Sequence, residues 1–206
     1  MEVLRLVLLL PVVLVVLHAS IADRDRPAPA APPPPLPRVT QAPTPRAPTP
    51  GELLAQRQLA VPVHGVPRNR LQDTFTDSRS RGRQHKAIDI MAPWGTPVLA
   101  ADDGRIAKIS RNRGGGLALY QVDGSGRFVF YYAHLAGYAD GLREGQPIER
   151  GDLIGYVGTT GNAPESAPHL HFAVMMLKGE KRLWGGEAVN PYEALARGDA
   201  VMASQR

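Results

Sequence analysis

Leu170, Phe172, Val174 and Met176 are apolar at every second position, the period of a strand with one buried face. This run constrains the fold more than any other stretch. It places His169 and His171 together on the opposite face, with α-carbons roughly 7 Å apart, near enough to converge on one bound atom. Other strand-like runs are set off by turn residues. Asp103-Gly104 separates Pro97–Ala101 from Arg105–Ser110 and predicts a hairpin, as does Asp123 to Gly126 between Leu117–Val122 and Phe128–His134. Leu153–Val157 is bounded by glycine, and Lys178-Gly179 turns the chain toward Leu183-Trp184. Helical signals are confined to Glu52–Leu59, stopped before Pro62, and to Tyr192–Ala196 after Asn190-Pro191. Many strands, little helix and no repeat predict an all-β, mostly antiparallel sandwich or open barrel with short flanking helices.

The 206 residues leave room for one sizeable domain and for targeting or linker segments. Leu6–Leu17 is apolar throughout, the length of a signal-peptide core and shorter than the ~18 residues of a spanning helix. Ser20 and Ala22 supply small residues at the −3 and −1 positions of a cleavage site, although Glu2 offsets Arg5 in front of the apolar run. Residues 1–22 are read as a signal peptide, with an uncleaved anchor over Val3–Ile21 as the alternative; either exports the domain. Residues 23–51 form a linker. Pro27–Pro50 is rich in Pro, Ala and Thr with almost no large apolar residues, so it cannot build a core. Fully extended as polyproline II, it would reach on the order of 75 Å. The domain is expected over residues 52–206.

A net charge of +5 and a pI near 9.8 favour an anionic partner. The basic residues are scattered, and no helix carries a basic stripe with interleaved aromatics, so nucleic acid is not expected. Cysteine is absent, which excludes disulfides, thiolate metal sites and a cysteine nucleophile. Any metal must be held by His, Asp or Glu. Besides His169 and His171, the sequence offers His134, on the strand face of Phe130 and Tyr132, and His85, four residues before Asp89. In a straight strand, positions four apart lie ~13 Å from each other, so the chain must bend if both residues hold one ion. A catalytic zinc takes three protein ligands and leaves a fourth position for water. Surplus histidines beside such a position can move protons or stabilise charge. Any one of these histidines alone is more simply a satisfied strand-end group; together they read as a metal site in a β-domain. There is no His-Glu-x-x-His, Gly-x-Ser-x-Gly or phosphate-binding glycine motif.

The order His85-x-x-x-Asp89, Tyr132-Ala133-His134-Leu135 and His169-Leu170-His171-Phe172 resembles the lysostaphin/LytM-type zinc endopeptidases of bacterial cell walls. The segments Asp102-Asp103-Gly104, Arg150–Gly155 and Gly158–Gly161 fit as well, so the resemblance runs from Val61 to Leu195. It implies that His85, Asp89 and His171 are zinc ligands and that His134 and His169 are catalytic histidines outside the ligand set. It also implies a β-domain with the metal site in a groove and the peptide part of peptidoglycan as substrate. Ala87 stands where many members have glycine, a small-for-small change. The chain is thus expected to be an exported zinc endopeptidase of the periplasm or cell envelope, touching a membrane only through an uncleaved N-terminus. One alternative is a non-catalytic regulator that binds and activates other wall hydrolases. Another is a lipoyl-like carrier module, suggested by Gly151–Gly155, but it needs a lysine at an exposed hairpin tip that the sequence lacks. The run Arg79, Arg81, Arg83 is read as a solvated loop, or more sharply as one arginine clamping a carboxylate of the wall.

Overall fold

The structure, a computed structural model, describes residues 46–79, 82–177, 183 and 185–197. The leader, the linker up to residue 45, Arg81, Lys178-Gly179 and Trp184 lie outside the described residues. Among the described residues no helix is long and apolar enough to cross a membrane.

The alternating run becomes strand β10 (His169–Met176). In chain order before it come β1 (Ser78–Arg79), β2 (Arg83–Gln84), β3 (Ile88–Met91), β4 (Pro97–Leu99), β5 (Gly104–Asn112), β6 (Gly116–Asp123), β7 (Phe128–Tyr138), β8 (Pro147–Ile148) and β9 (Leu153–Val157), and after it β11 (Glu187–Val189). β1 and β2 form a separate ribbon. The other nine form one sheet in the order β11-β10-β7-β6-β5-β8, with β3 also on β10 and β9 linking β7 to β4. Among the described residues every pairing is antiparallel and the α-helices are the short α1 (Pro50–Ala55) and α2 (Tyr192–Ala196), so the all-β expectation holds.

Leu170, Phe172 and Val174 face the main core with Phe128, Phe130, Tyr132, Ile88, Ile106, Leu119 and Ile154. Leu54 and Leu59 near α1 and Leu195 of α2 close it. The opposite face of β10 is buried too, because Ala173 and Met175 pack with Ala87, Ala118, Val129, Tyr131 and Ala133. β10 is therefore covered on both faces and is not the half-buried strand that the sequence predicts. The odd positions after His171 are themselves apolar, and a continuous apolar run is what a strand covered on both faces carries.

The hairpin predicted at Asp103-Gly104 does not form: β4 pairs with β9, and β5 pairs with β6 and β8. Gly104 serves a close approach instead, since a Cβ there would run into the Val122 carbonyl. Asp102 and Asp103 are spent on Arg57 and on the Arg150 amide. The hairpin around Asp123 to Gly126 does form, joining β6 to β7. α1 starts earlier and ends sooner than the sequence suggests. Thr49 and Glu52 form a capping box and Pro50 opens the first turn, so residues assigned to the linker by composition build the helix start. α2 lies where expected. β11 was not anticipated, since three residues are too few to show a period.

Buried Tyr132 ties two elements to this core. Its hydroxyl accepts from the Ala101 amide at 2.9 Å and donates to Gln121 Oε1 at 2.5 Å. Tyr132→Phe leaves both groups unpaired, at a cost of ~1–3 kcal/mol. The expected loss in Tm is roughly 2–12 °C for a chain of this size. A thermal melt unchanged within a degree would show that the network carries no stability.

Candidate metal centre

β2 ends at Gln84 and β3 begins at Ile88, so His85 and Asp89 do not share a straight strand. Between them Lys86 adopts φ 57°, and the amides of His85 and Lys86 donate to the carbonyls of Asp77 and Phe75, each at 2.9 Å. This bend brings His85 Nε2 to 3.0 Å from Asp89 Oδ1. A lysine in left-handed backbone costs ~1–2 kcal/mol; such outliers gather where a site requires them.

The sheet supplies the third group. β10 lies between β3 and β7, with His171 opposite Asp89 on one side and Ala133 on the other. His171 Nδ1 is 3.1 Å from Asp89 Oδ1 and 3.0 Å from His85 Nε2. Three donor atoms thus form a nearly equilateral triangle among His85, Asp89 and His171, a group that could hold a metal ion. A tetrahedral zinc with bonds of ~2.0–2.1 Å spaces its ligand atoms about 3.3–3.4 Å apart, within a few tenths of an ångström of this triangle. Two imidazole nitrogens, one carboxylate oxygen and no sulfur also suit zinc. His85 Nδ1 lies 3.0 Å from the Thr74 carbonyl. A carbonyl only accepts, so Nδ1 carries the hydrogen and the Nε2 lone pair points into the triangle. Thr74 Oγ1 also takes the Asp89 amide at 3.1 Å. Burial by itself would raise the Asp89 carboxyl, but the imidazoles of His171 and His85 outweigh it and hold it well below the carboxylate range. Burial pushes the His171 imidazole down, against the opposing pull of Asp89.

His134 reaches this group through an irregularity in β7. Pairing with β6 runs Leu119↔Tyr132 and then Leu117↔Leu135, two residues against three, which marks a bulge. His134 sits in it at φ 63°, and its amide donates to the Gly115 carbonyl at 2.7 Å. Phe130, Tyr132 and Leu135 all face the main core, which leaves His134 on the other side with Tyr131 and Ala133. Its ring centroid is 4.9 Å from that of His169 and 5.6 Å from that of His171. The sequence reading put His134 at the strand end on the face of Phe130 and Tyr132. In fact the strand continues to Tyr138, and the extra residue reverses the alternation.

Both outer histidines are anchored at Nδ1, His134 by the Thr160 carbonyl at 2.7 Å and His169 by the Ala167 carbonyl at 2.8 Å. Each therefore offers Nε2 as an acceptor, and that of His169 lies 3.8 Å from Asp89 Oδ1. Thr160 is delivered by a tight backbone contact: Asn162 donates to the Gly114 carbonyl at 2.9 Å and Leu117 to Thr160 Oγ1 at 2.9 Å. Gly116, at φ 64°, has no room for a Cβ beside the Thr160 backbone. Thr74 and Thr160 escaped the sequence reading because main-chain carbonyls leave no residue signature. The Gly114-Gly115-Gly116 run was the available signal for the second. Of the arginine run, Arg79 contacts Asp89 rather than standing free, with Nη2 2.6 Å from Oδ2, and Arg83 lies on exposed β2.

Burial lowers the His134 imidazole from its ordinary 6.5 to about 4, overriding the Thr160 hydrogen bond. The folded state then binds fewer protons than the unfolded chain between these values, so His134 makes stability fall as pH drops from 6.5 toward 4. His134→Asn, which tolerates left-handed backbone, should lose less Tm between pH 7 and about 4.5 than the parent. Equal losses would show that His134 does not titrate in this way.

The sequence profile of peptidase family M23 matches residues 83–191. The chain is 36% identical over 110 residues to the L-Ala--D-Glu endopeptidase of Bacillus subtilis (strain 168), a match covering 50% of this chain and 33% of that protein. It is 34% identical over 134 residues to the cell division protein DipM of Caulobacter vibrioides (strain NA1000 / CB15N), covering 63% of this chain and 20% of that one. Among solved structures, the lytM protein of Ruminococcus gnavus ATCC 29149 superimposes with a TM-score of 0.54 at 31% identity, covering 63% of this chain and 54% of that chain. This chain spans a third or less of the length of the curated relatives named here.

Proposed function

Because the chain belongs to peptidase family M23, we propose that it is an exported zinc endopeptidase that cuts peptide bonds of bacterial peptidoglycan. The observation that carries this reading is the triangle of His85 Nε2, Asp89 Oδ1 and His171 Nδ1, with sides of 3.0–3.1 Å, beside two further imidazoles. His85, Asp89 and His171 would hold the ion. Zinc bound there would polarise the scissile carbonyl and lower the pKa of water toward neutrality.

The remaining work falls to His134 and His169. His134 is held neutral at physiological pH by burial and presents Nε2 as a proton acceptor, while the Thr160 carbonyl stops the ring from turning. His169 is fixed in the same sense by the Ala167 carbonyl. A proton taken from the attacking water at one Nε2 makes an imidazolium, which can return that proton to the leaving amine. The second imidazole, when it has taken a proton from solvent at Nε2, can donate that hydrogen to the oxyanion that develops on the substrate. Export rests on the apolar run Leu6–Leu17. The alternative, a regulator without turnover, sits poorly with a chain that retains all five residues.

The test uses protein beginning at Pro45, so that the Thr49 cap and α1 are kept. Elemental analysis is expected to find about one zinc per chain. Incubation with purified peptidoglycan should release peptides whose masses identify the bond, and a chelator should stop this until zinc is restored. Bound zinc without any product would favour the regulator. Failure to bind zinc at all would count against both the metal centre and the enzyme.

A further inference from the structure

We propose that Arg79 is a positioning residue for the metal centre: by holding Oδ2 of Asp89, it reserves Oδ1 for the ion. The inference rests on the metal-site reading above. The two oxygens of Asp89 have separate partners. Oδ2 accepts from Arg79 Nη2 at 2.6 Å, while Oδ1 lies 3.0 Å from His85 Nε2 and 3.1 Å from His171 Nδ1. The Asp89 amide is tied to Thr74 Oγ1, so both ends of the residue are held.

The ribbon that carries Arg79 gains little from it otherwise. Arg79 lies opposite Arg83 across β1 and β2. The Arg79 side chain is 43% exposed and that of Asp89 19%, and ion pairs at such sites contribute little to stability. The contact acts instead on geometry. A charge-assisted bond to one oxygen leaves the carboxylate to grip an ion through the other, which keeps a coordination position open for water. Partners of this kind orient the ligand, and their loss typically weakens metal binding by ~10–100-fold. Arg79 thus clamps a carboxylate of the protein itself.

The test compares the full chain with Arg79→Gln and Arg79→Lys, reading zinc affinity by chelator competition and the visible spectrum of the cobalt(II)-substituted protein. Arg79→Gln should bind zinc ~10–100-fold more weakly, and its cobalt bands should lose intensity as Asp89 swings to a two-oxygen grip. Arg79→Lys keeps the charge as a single-point donor and should recover most of the affinity. The Tm of the metal-free protein should hardly move. An Arg79→Gln protein with unchanged affinity and cobalt spectrum, beside a parent that binds both metals, overturns this inference alone. Equal losses in both variants with a lower metal-free Tm also overturn it, because Arg79 would then merely support the ribbon. A parent protein that takes up neither metal overturns the metal centre and this inference with it.

Discussion

His171→Ala and Asp89→Ala are each expected to lose zinc and hydrolytic activity together. His171 Nδ1 and Asp89 Oδ1 touch each other and His85 Nε2 within 3.0–3.1 Å, so removing either leaves two of three donors. Asp89→Ala also strands the Arg79 guanidinium that its carboxylate now neutralises. On the proposed assignment the loss of affinity should exceed the ~10–100-fold typical of an outer partner, because a direct ligand would disappear. Elemental analysis after dialysis gives the metal content, and circular dichroism shows whether the sheet persists. It should, since neither residue belongs to the buried apolar clusters. A variant that keeps one zinc per chain and full activity is not missing a ligand.

His134→Ala and His169→Ala should give the opposite pattern, with zinc retained and turnover reduced ~10²–10⁴-fold each. Both rings sit beside the triangle and are pinned at Nδ1 by a main-chain carbonyl, so what each offers the reaction is Nε2. Alanine at 134 would stand at φ 63°, a strained position, and His134→Asn separates that strain from loss of the imidazole. His169 is the closer test of the assignment, with Nε2 3.8 Å from Asp89 Oδ1. If His169→Ala abolishes zinc binding while His171→Ala spares it, the two roles are exchanged and the metalloenzyme reading stands. If all four variants keep both zinc and activity, the histidines are structural.

The five residues were picked out from sequence by a histidine pair at strand spacing and by the ordered motifs that resemble the lysostaphin/LytM-type endopeptidases. Leu170 and Phe172 place His169 and His171 on one strand face, and that alternation survives in β10. His85 and Asp89 were the harder pair, since four residues of straight strand would hold them apart. The structure supplies the bend at Lys86. His134 was placed on the wrong face, because a bulge is a register difference between two strands and leaves no mark in one of them. The Asp103-Gly104 signal was misread for a related reason: its glycine answers to the Val122 carbonyl, a neighbour distant in sequence.

What the sequence determined by itself is whatever depends on a residue and its near neighbours. That covers strand character from the period of two, the β6–β7 hairpin from its turn residues, the restriction of any metal ligands to His and carboxylate by the lack of cysteine, and the pair of histidines on one face. What only the tertiary structure decided depends on pairing between distant segments. The register of β10 against β3 sets His171 beside Asp89. The unequal count between β6 and β7 turns His134 inward. The carbonyls of Thr74, Ala167 and Thr160 fix which nitrogen of three imidazoles carries its hydrogen, and Arg79 divides the two oxygens of Asp89. Main-chain groups are the same at every residue, so their positions, and the chemistry they impose, exist only once the chain has folded.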